Sequence, residues 1–437
     1  MSTTRSYRPR VRIPVVQLVG VVASLSLVAA ACTSAEGENG AEPEGSSSLS
    51  QPESAPESPI SESVVPETVA SWDIDVALAA DPNCANPVGG DPLRIGYAAD
   101  LSELGATVDN PASSAALHMA NLINCSGGLE GRRVEVVVED ISGDPVATRD
   151  ALNRLLEADV QVILGPSFPN PGLRVLQVTR GNIPVVFTAS TEPALGDLGA
   201  LSFLAGFDDS QGATAAAEFA AGNGWSRAVT FSAPGPNFGY NTLVFTEVFQ
   251  ASGGEVLGDF EYVPIETIDF AEAAATIATD PPDVIYSAMF ASQLVALRQE
   301  LDALGIQVEY LQTDLFETTG GYALPGIDGI HHLAHSSPAP GSRVVALNES
   351  LTSATSVSFD APSTVALVGD AVAVIANAYL RSGSMDPLLL GGAIASGVEV
   401  EGVTGTLTYD GSGTPAKTIY IHKVVDGAPT LAATIDP

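Results

Sequence analysis

Few residues in this 437-residue chain can carry chemistry, and most of those that can are acids. Asp314 follows the alternating run Val308 to Gln312; if that run is a strand, the carboxylate sits at the strand's carboxyl end, where open α/β sheets place their ligand crevice. A carboxylate half-buried there needs a cationic partner, which a ligand ammonium can supply; the plainer reading is a solvated acid, one of 52 Asp and Glu. Gly165-Pro166-Ser167-Phe168-Pro169-Asn170-Pro171 is a strand-to-helix junction, with Asn170 as the N-cap and Pro171 as the first helical residue. Its helix dipole and the Ser167 hydroxyl can face an anion, yet two prolines remove two N–H donors, and a rigid turn without a ligand is the competing reading. His331, His332 and His335 fall on one strand, where 331 and 335 share a face and 332 points away, as in an ordinary crossover strand rather than a metal site. The chain has no G-x-S-x-G elbow, H-E-x-x-H helix or Rossmann fingerprint, and Lys417 and Lys423 are its only lysines, so the P-loop lysine is missing too. No catalytic residue, metal or cofactor is expected.

Charge narrows the partners. The 17 Lys and Arg oppose 52 Asp and Glu, a net charge of -35. Four arginines (Arg5, Arg8, Arg10, Arg12) and none of the acids lie in the first 32 residues, so removal of that segment leaves 17 - 4 = 13 cations against 52 anions, or -39. Such a field repels nucleic acid and anionic membrane surfaces. The cationic start, the apolar stretch from 13 to 31 and the small residues Ala29, Ala30 and Ala31 make an export signal, and Cys32 follows at once. This stretch resembles the lipobox of bacterial lipoproteins, which implies lipid on Cys32; an ordinary signal peptide followed by a chance cysteine is the alternative. Residues 33 to 71, rich in Ser, Glu, Pro and Gly, cannot bury enough apolar surface to fold, and they read as a tether of about 40 residues from the membrane. Downstream of an export signal, Cys84 and Cys125 read most simply as a disulfide, with an incomplete Cys/Cys metal half-site as the other reading.

With 45% hydrophobic residues the chain can bury two cores. Strand and helix patterns alternate. Strands are predicted at Arg94 to Ala98, Arg133 to Glu139, Val160 to Leu164 and Pro184 to Phe187, with helices between, the first starting from Asn110 as N-cap and Pro111. A second series has strands at Ala228 to Phe231, Glu255 to Val263, Val284 to Ser287 and Val308 to Gln312. The remainder carries a strand-like Gly329 to His335, helices near Ser363 to Arg381 and Leu388 to Ser396, and strands Val403 to Tyr409 and Thr418 to Val424. Two α/β lobes follow, completed by a chain that crosses between them more than once.

Asn124-Cys125-Ser126-Gly127-Gly128-Leu129-Glu130-Gly131-Arg132 resembles the IN-x-x-GG-x-x-GR run of type I periplasmic substrate-binding proteins of the leucine/isoleucine/valine-binding family. Val137-Glu139-Asp140, Asp144-Pro145, Val162 to Pro166, Ile183 to Val186, Asp209 to Gly212, Asp269-Phe270 and Pro282 to Val284 follow in the family's order, so the resemblance spans about residues 92 to 424. It implies two doubly wound α/β lobes joined by three crossover segments: residues 92–207 with 338–405, and 208–337 with 406–437, after a signal peptide (1–31), a tether (32–72) and a lead-in (73–91).

The same resemblance implies a site. Thr188-Ala189-Ser190-Thr191-Glu192-Pro193 is similar to the family's S-A-T-x-P loop, in which the Ala189 carbonyl and Thr191 hydroxyl would meet a ligand amine and carboxylate; a plain turn is the alternative. Phe238, in Asn237-Phe238-Gly239-Tyr240, takes the place of the aromatic that covers the ligand, and Phe290 that of a second one, with a core role equally open. Asp314 falls where amino-acid-binding members carry an acid for the ammonium. With Ser167 and Ser190 these complete the expected ligand-binding set. The implied function is capture of an amino acid, amide or related small molecule by hinge closure and delivery to an ABC transporter permease. A receptor module of the same fold, signalling to a membrane partner, is the alternative.

Overall fold

The computed structural model of the chain describes residues 71–85, 87–102, 105–142, 144–234, 236–356, 362–397 and 399–437, without the side chains of 236–238. The export signal, Cys32 and the tether up to residue 70 lie outside the described residues. Composition assigns Trp72 to the tether, but its side chain is buried and its backbone N–H donates to Asn377 Oδ1 at 3.0 Å, so the folded part already includes it. A short helix not foreseen from the sequence, α1 (Ile74–Leu78), follows, capped by the Asp73 carboxylate. Cys84 and Cys125 are bonded, their Cα atoms 5.7 Å apart.

The first lobe alternates β1 (Leu93–Ala99), α2 (Ala106–Cys125), β2 (Val134–Asp140), α3 (Pro145–Glu157), β3 (Val162–Gly165), α4 (Pro169–Thr179), β4 (Val185–Phe187), α5 (Pro193–Asp197) and β5 (Ser202–Leu204). Local chemistry sets several starts: Asp144 accepts from the N–H groups of Val146 and Ala147, and Pro145, Pro169 and Pro193 stand where a helix has no N–H to satisfy. Two starts differ from expectation. Helix α2 begins at Ala106 with Pro111 inside it, and α4 begins at Pro169 with Phe168 as its N-cap rather than Asn170. Proline fits any of the first few helical positions, which accounts for α4; Pro111 is the sixth residue of α2, inside the helix, so there the proline does not mark the start.

The second lobe runs α6 (Asp209–Gly222), β6 (Arg227–Ser232), α7 (Pro236–Ala251), β7 (Glu255–Glu261), α8 (Ala271–Ile277), β8 (Val284–Ser287), α9 (Ala291–Ala303), β9 (Glu309–Gln312), α10 (Leu315–Thr318) and β10 (His331–Ala334). A capping box between Asp208 and Gln211 opens α6. The chain returns to the first lobe for α11 (Arg343–Thr355), α12 (Pro362–Ser382), α13 (Pro387–Ala395), β11 (Glu399–Glu401) and β12 (Thr406–Thr408). It ends in the second lobe with β13 (Ile419–Val425) and β14 (Ala428–Ile435).

Strands β2-β1-β3-β4-β5 form one parallel sheet with an apolar core on each face, so β3 reads Val-Ile-Leu with no polar alternation. The other sheet has the order β14-β13-β10-β9-β8-β6-β7, and only β10-β13 and β13-β14 are antiparallel. Helix α12 is long and apolar enough to cross a membrane, but 89% of its most apolar stretch is buried inside the first lobe. At its middle the Asp370 carboxylate accepts from the N–H groups of Val403 (2.6 Å) and Thr404 (3.0 Å), with Lys417 Nζ 3.5 Å away.

Three passages of chain join the lobes side by side. The Phe207 ring stacks on His335 at 3.8 Å between centroids, and any Cβ at Gly206 would stand 2.6 Å from the His335 ring, so only glycine fits. The third passage lies later than expected: Leu407 and Tyr409 pack in the first core, and the Tyr409 hydroxyl donates to the Leu204 carbonyl at 2.7 Å. The crossing therefore follows Tyr409 instead of preceding residue 406.

Candidate functional site

Strand ends and helix starts of both lobes converge on a cavity of about 340 Å³, within the range of small-ligand sites. The first lobe lines it with Asp100 after β1, with Ser167, Phe168, Pro169, Asn170 and Pro171 at the start of α4, and with Ala189 and Thr191 after β4. From the second lobe come Asp209 at the start of α6, Asn241 of α7, Pro264 and Ile265, Ala288 and Phe290 before α9, and Thr313 and Asp314 after β9.

Of the residues expected to bind ligand, Ser167, Ala189, Thr191, Phe290 and Asp314 line this cavity together. Ser190 does not. It is buried, and its neighbours on either side reach the cavity because successive side chains of extended backbone point to opposite sides. Phe238 belongs to the first turn of α7 and its side chain lies outside the described residues.

Ser167 is placed as expected but bonded otherwise. Its hydroxyl donates to Asp109 Oδ1 at 2.5 Å and its N–H to the same oxygen at 3.1 Å, while Asp109 Oδ2 accepts the Asp100 N–H at 2.7 Å. Both Ser167 donors thus serve a buried acid on α2. Burial pushes the Asp109 pKa up to about 7, against the three hydrogen bonds it accepts and with the help of the Asp100 charge.

Asp100 and Asp109 lie in no recognisable motif, and Asp209, although it opens the run Asp209 to Gly212 that follows the family's order, is not among the residues expected to bind ligand. Asp209 is 7% exposed. Burial raises its pKa well above the usual carboxylate range; the charges of Asp314 and Glu192 push the same way, and hydrogen bonds with Thr191 and Asn241 oppose. Glu317, one turn beyond Asp314, accepts the Ser363 N–H at 2.9 Å and hydroxyl at 3.0 Å, and burial raises its pKa to about 7. Asp314 itself has His335 Nε2 at 3.4 Å. Among the described residues that line the cavity, none is Arg, Lys or His. The arrangement can hold positive charge and has little with which to hold negative charge.

The histidines occupy a different place. His331 lies near Phe219 and Trp225, with ring centroids 5.5 and 5.7 Å away. His332 turns to the opposite side of β10, where its Nδ1–H donates to the Leu333 carbonyl and its Nε2 accepts from the Tyr322 hydroxyl, each at 2.8 Å. Burial lowers the pKa of this ring to about 3, so it is neutral near pH 7 and Nε2 is left as the acceptor. Among the described residues no group of three His, Cys, Asp or Glu is placed to hold a metal ion.

A family profile described as periplasmic binding protein matches residues 92–428. The chain belongs to the periplasmic binding protein family, and its two α/β lobes are the type I fold of that family. Its structure is similar to a leucine-binding protein, LivK, of Thermotoga maritima: 21% identity, TM-score 0.68, covering 79% of this chain and 99% of that one. It is also similar to LivJ of Streptococcus pneumoniae solved with isoleucine: 20% identity, TM-score 0.67, 79% and 100% covered. A third likeness is to an ABC-transporter solute-binding protein of R. palustris solved with benzoate: 18% identity, TM-score 0.66, 79% and 97% covered. At these identities the likeness is one of fold. A comparison with curated protein sequences gives no match.

Proposed function

We propose that the protein is an extracytoplasmic solute-binding lipoprotein that captures a small nitrogen-bearing molecule between its lobes and hands it to an ABC transporter. The observation that carries this reading is the placement of Asp314 and Asp209 on one wall of a cavity lined from both lobes, where a ligand's N–H groups meet carboxylates that lack a basic partner in the cavity wall. Closure about the three parallel passages brings the two walls together around the ligand, a hinge motion of the kind binding proteins use. Relatives of the same fold solved with isoleucine and with benzoate support a solute of this size. Amines, amino acids and amides are the candidate classes.

Mass spectrometry of the molecule released from purified protein, with thermal-shift screening of amino acids, amides, urea and short carboxylates, tests the reading. An amine-bearing ligand should raise the melting temperature, and Asp314→Ala should abolish the rise. A rise produced only by anions that lack nitrogen, and kept in Asp314→Ala, would refute it. Cys32→Ala should move the protein from the membrane fraction to the soluble one.

A further inference from the structure

We infer that the ligand is an organic cation with an apolar body and no carboxylate group, an inference that rests on the reading of the cavity as a nitrogen-binding site. Three independent features of the cavity point there.

The first is charge. Asp100, Asp209 and Asp314 enter the wall from three separate elements, Asp100 and Asp209 being 6% and 7% exposed; no Arg, Lys or His belongs to the described lining, and the one imidazole behind it, His335 at 3.4 Å from Asp314, has its pKa lowered by burial. A zwitterion would bring its ammonium to these acids and must then put its own carboxylate into the same negative field.

The second is the loss of anion-holding donors. The start of α4 is where a ligand carboxylate would be held by backbone N–H groups and a hydroxyl. Here Pro169 and Pro171 have no N–H, and the Ser167 N–H and hydroxyl both donate to Asp109. What remains of the junction at the cavity is the apolar surface of Phe168 and the prolines, with the Asn170 amide as its one neutral side-chain donor.

The third is the apolar surface around the acids. Phe168 from one lobe and Phe290 from the other bound the cavity with Pro264, Ile265 and Leu315. Aromatic faces and carboxylates together suit a desolvated ammonium, and the aliphatic side chains suit the hydrocarbon attached to it. Ile265 has φ +66°, a conformation that β-branched residues rarely adopt, and it is 60% exposed at the cavity wall. Its exposed surface is what an apolar ligand would cover. An inorganic cation is disfavoured by the same wall and by the lack, among the described residues, of any metal-holding group.

The test holds the body constant and changes the head. Calorimetry on the purified protein with phenethylamine, L-phenylalanine, phenylacetamide and phenylacetate, and with the matching isopentylamine, L-leucine, isovaleramide and isovalerate, reads the head-group preference directly. The amines should bind about tenfold or more tighter than the other three members of their series, the size expected of a charge-assisted contact. Equal or tighter binding of an amino acid or amide would overturn the inference and leave the nitrogen-binding site standing. Tightest binding of phenylacetate or isovalerate would overturn both, and binding by none of the eight would overturn the inference. Asp314→Asn and Asp209→Asn, each checked for folding by thermal unfolding, should abolish the preference for the amine. Pro169→Ala combined with Pro171→Ala returns two N–H donors and should raise the affinity for L-phenylalanine relative to phenethylamine; an unchanged ratio counts against the role given to the prolines.

Discussion

The acid-lined cleft and the histidine seam between β10 and β13 both bury ionisable groups, yet they resolve the cost differently. In the seam, burial lowers the pKa values of His331 and His422 to about 4 and of His332 to about 3, so the rings are neutral near pH 7 and pack as polar aromatics. His332 and His422 face each other at 5.5 Å, with Phe316 and Tyr322 closing the gaps. In the cleft the same desolvation raises the pKa values of Asp109 and Glu317 to about 7 and that of Asp209 well above its ordinary value, beside a cavity of about 340 Å³. A packed seam is finished by losing its protons. A cleft with room in it is finished by a guest of opposite charge.

The seam should therefore break by structure and the cleft by binding. Replacing the fully buried His332 with Ala removes two hydrogen bonds and leaves a hole; stability should fall by about 2 to 4 kcal/mol in guanidinium unfolding, with amine affinity unchanged. Asp209→Asn should do the reverse: affinity for phenethylamine falls about ten- to hundredfold by calorimetry, while the stability of the ligand-free protein changes little, because burial already favours the neutral carboxyl there.

Their pH dependences run against each other. Histidines with depressed pKa values contribute stability that is present above pH 6.5 and lost as the pH falls through about 4. Asp109 and Glu317, with raised values, contribute stability that is present below the ordinary carboxylate range and lost as the pH rises through about 7. The ligand-free protein should thus show a shallow profile between pH 4.5 and 7, a net change of about 1 to 2 kcal/mol. Combining Asp109→Asn with Glu317→Gln should turn it into a clear rise with pH. Amine affinity in the wild-type protein should increase from pH 6 to 8 as Asp109 and Glu317, raised to about 7 beside the cavity, lose protons. The smallest effect is expected at the cavity wall, where Ile265→Gly relieves the left-handed conformation and should raise the melting temperature by an amount worth roughly 1 kcal/mol.

Much of the fold is written in local patterns, because a buried parallel strand must be apolar on both faces and its helix must turn a stripe inward. Strands β3, β4 and β8 satisfy that rule, buried throughout and almost wholly apolar, whereas β2 and β7 lie at sheet edges and carry acids on half-buried or exposed positions. Strand β5 is three residues long and β14 is an exposed edge without apolar alternation, so neither stands out until it is paired. Asp314 stands out in the sequence as a lining candidate because it follows a strand that ends at the crevice, and it does line the cavity. Asp100 does not stand out, since in a chain with 52 acids nothing about its type or spacing separates it from a solvated one, and Asp209, though it opens a run in the family's order, carries no sign of facing a cavity. What separates them is burial created when segments more than 200 residues apart meet. Ser167 lines the cavity as its place in the strand-to-helix junction suggests, but only the distance to Asp109 reveals that its proton is already committed.

Asp370 has a consequence for how the chain leaves the cell. An exported protein carrying α12 presents the secretion channel with 21 residues apolar enough to slip sideways into lipid and stall there. A carboxylate near the middle of such a segment costs about 2.5 to 3.5 kcal/mol at the bilayer centre, which keeps the stretch moving through the pore. In a chain exported unfolded, the side chain that ties α12 to the loop at Thr404 would therefore also oppose sideways entry into lipid; Asp370→Leu is expected to raise the fraction of chain held in the membrane, read by cell fractionation.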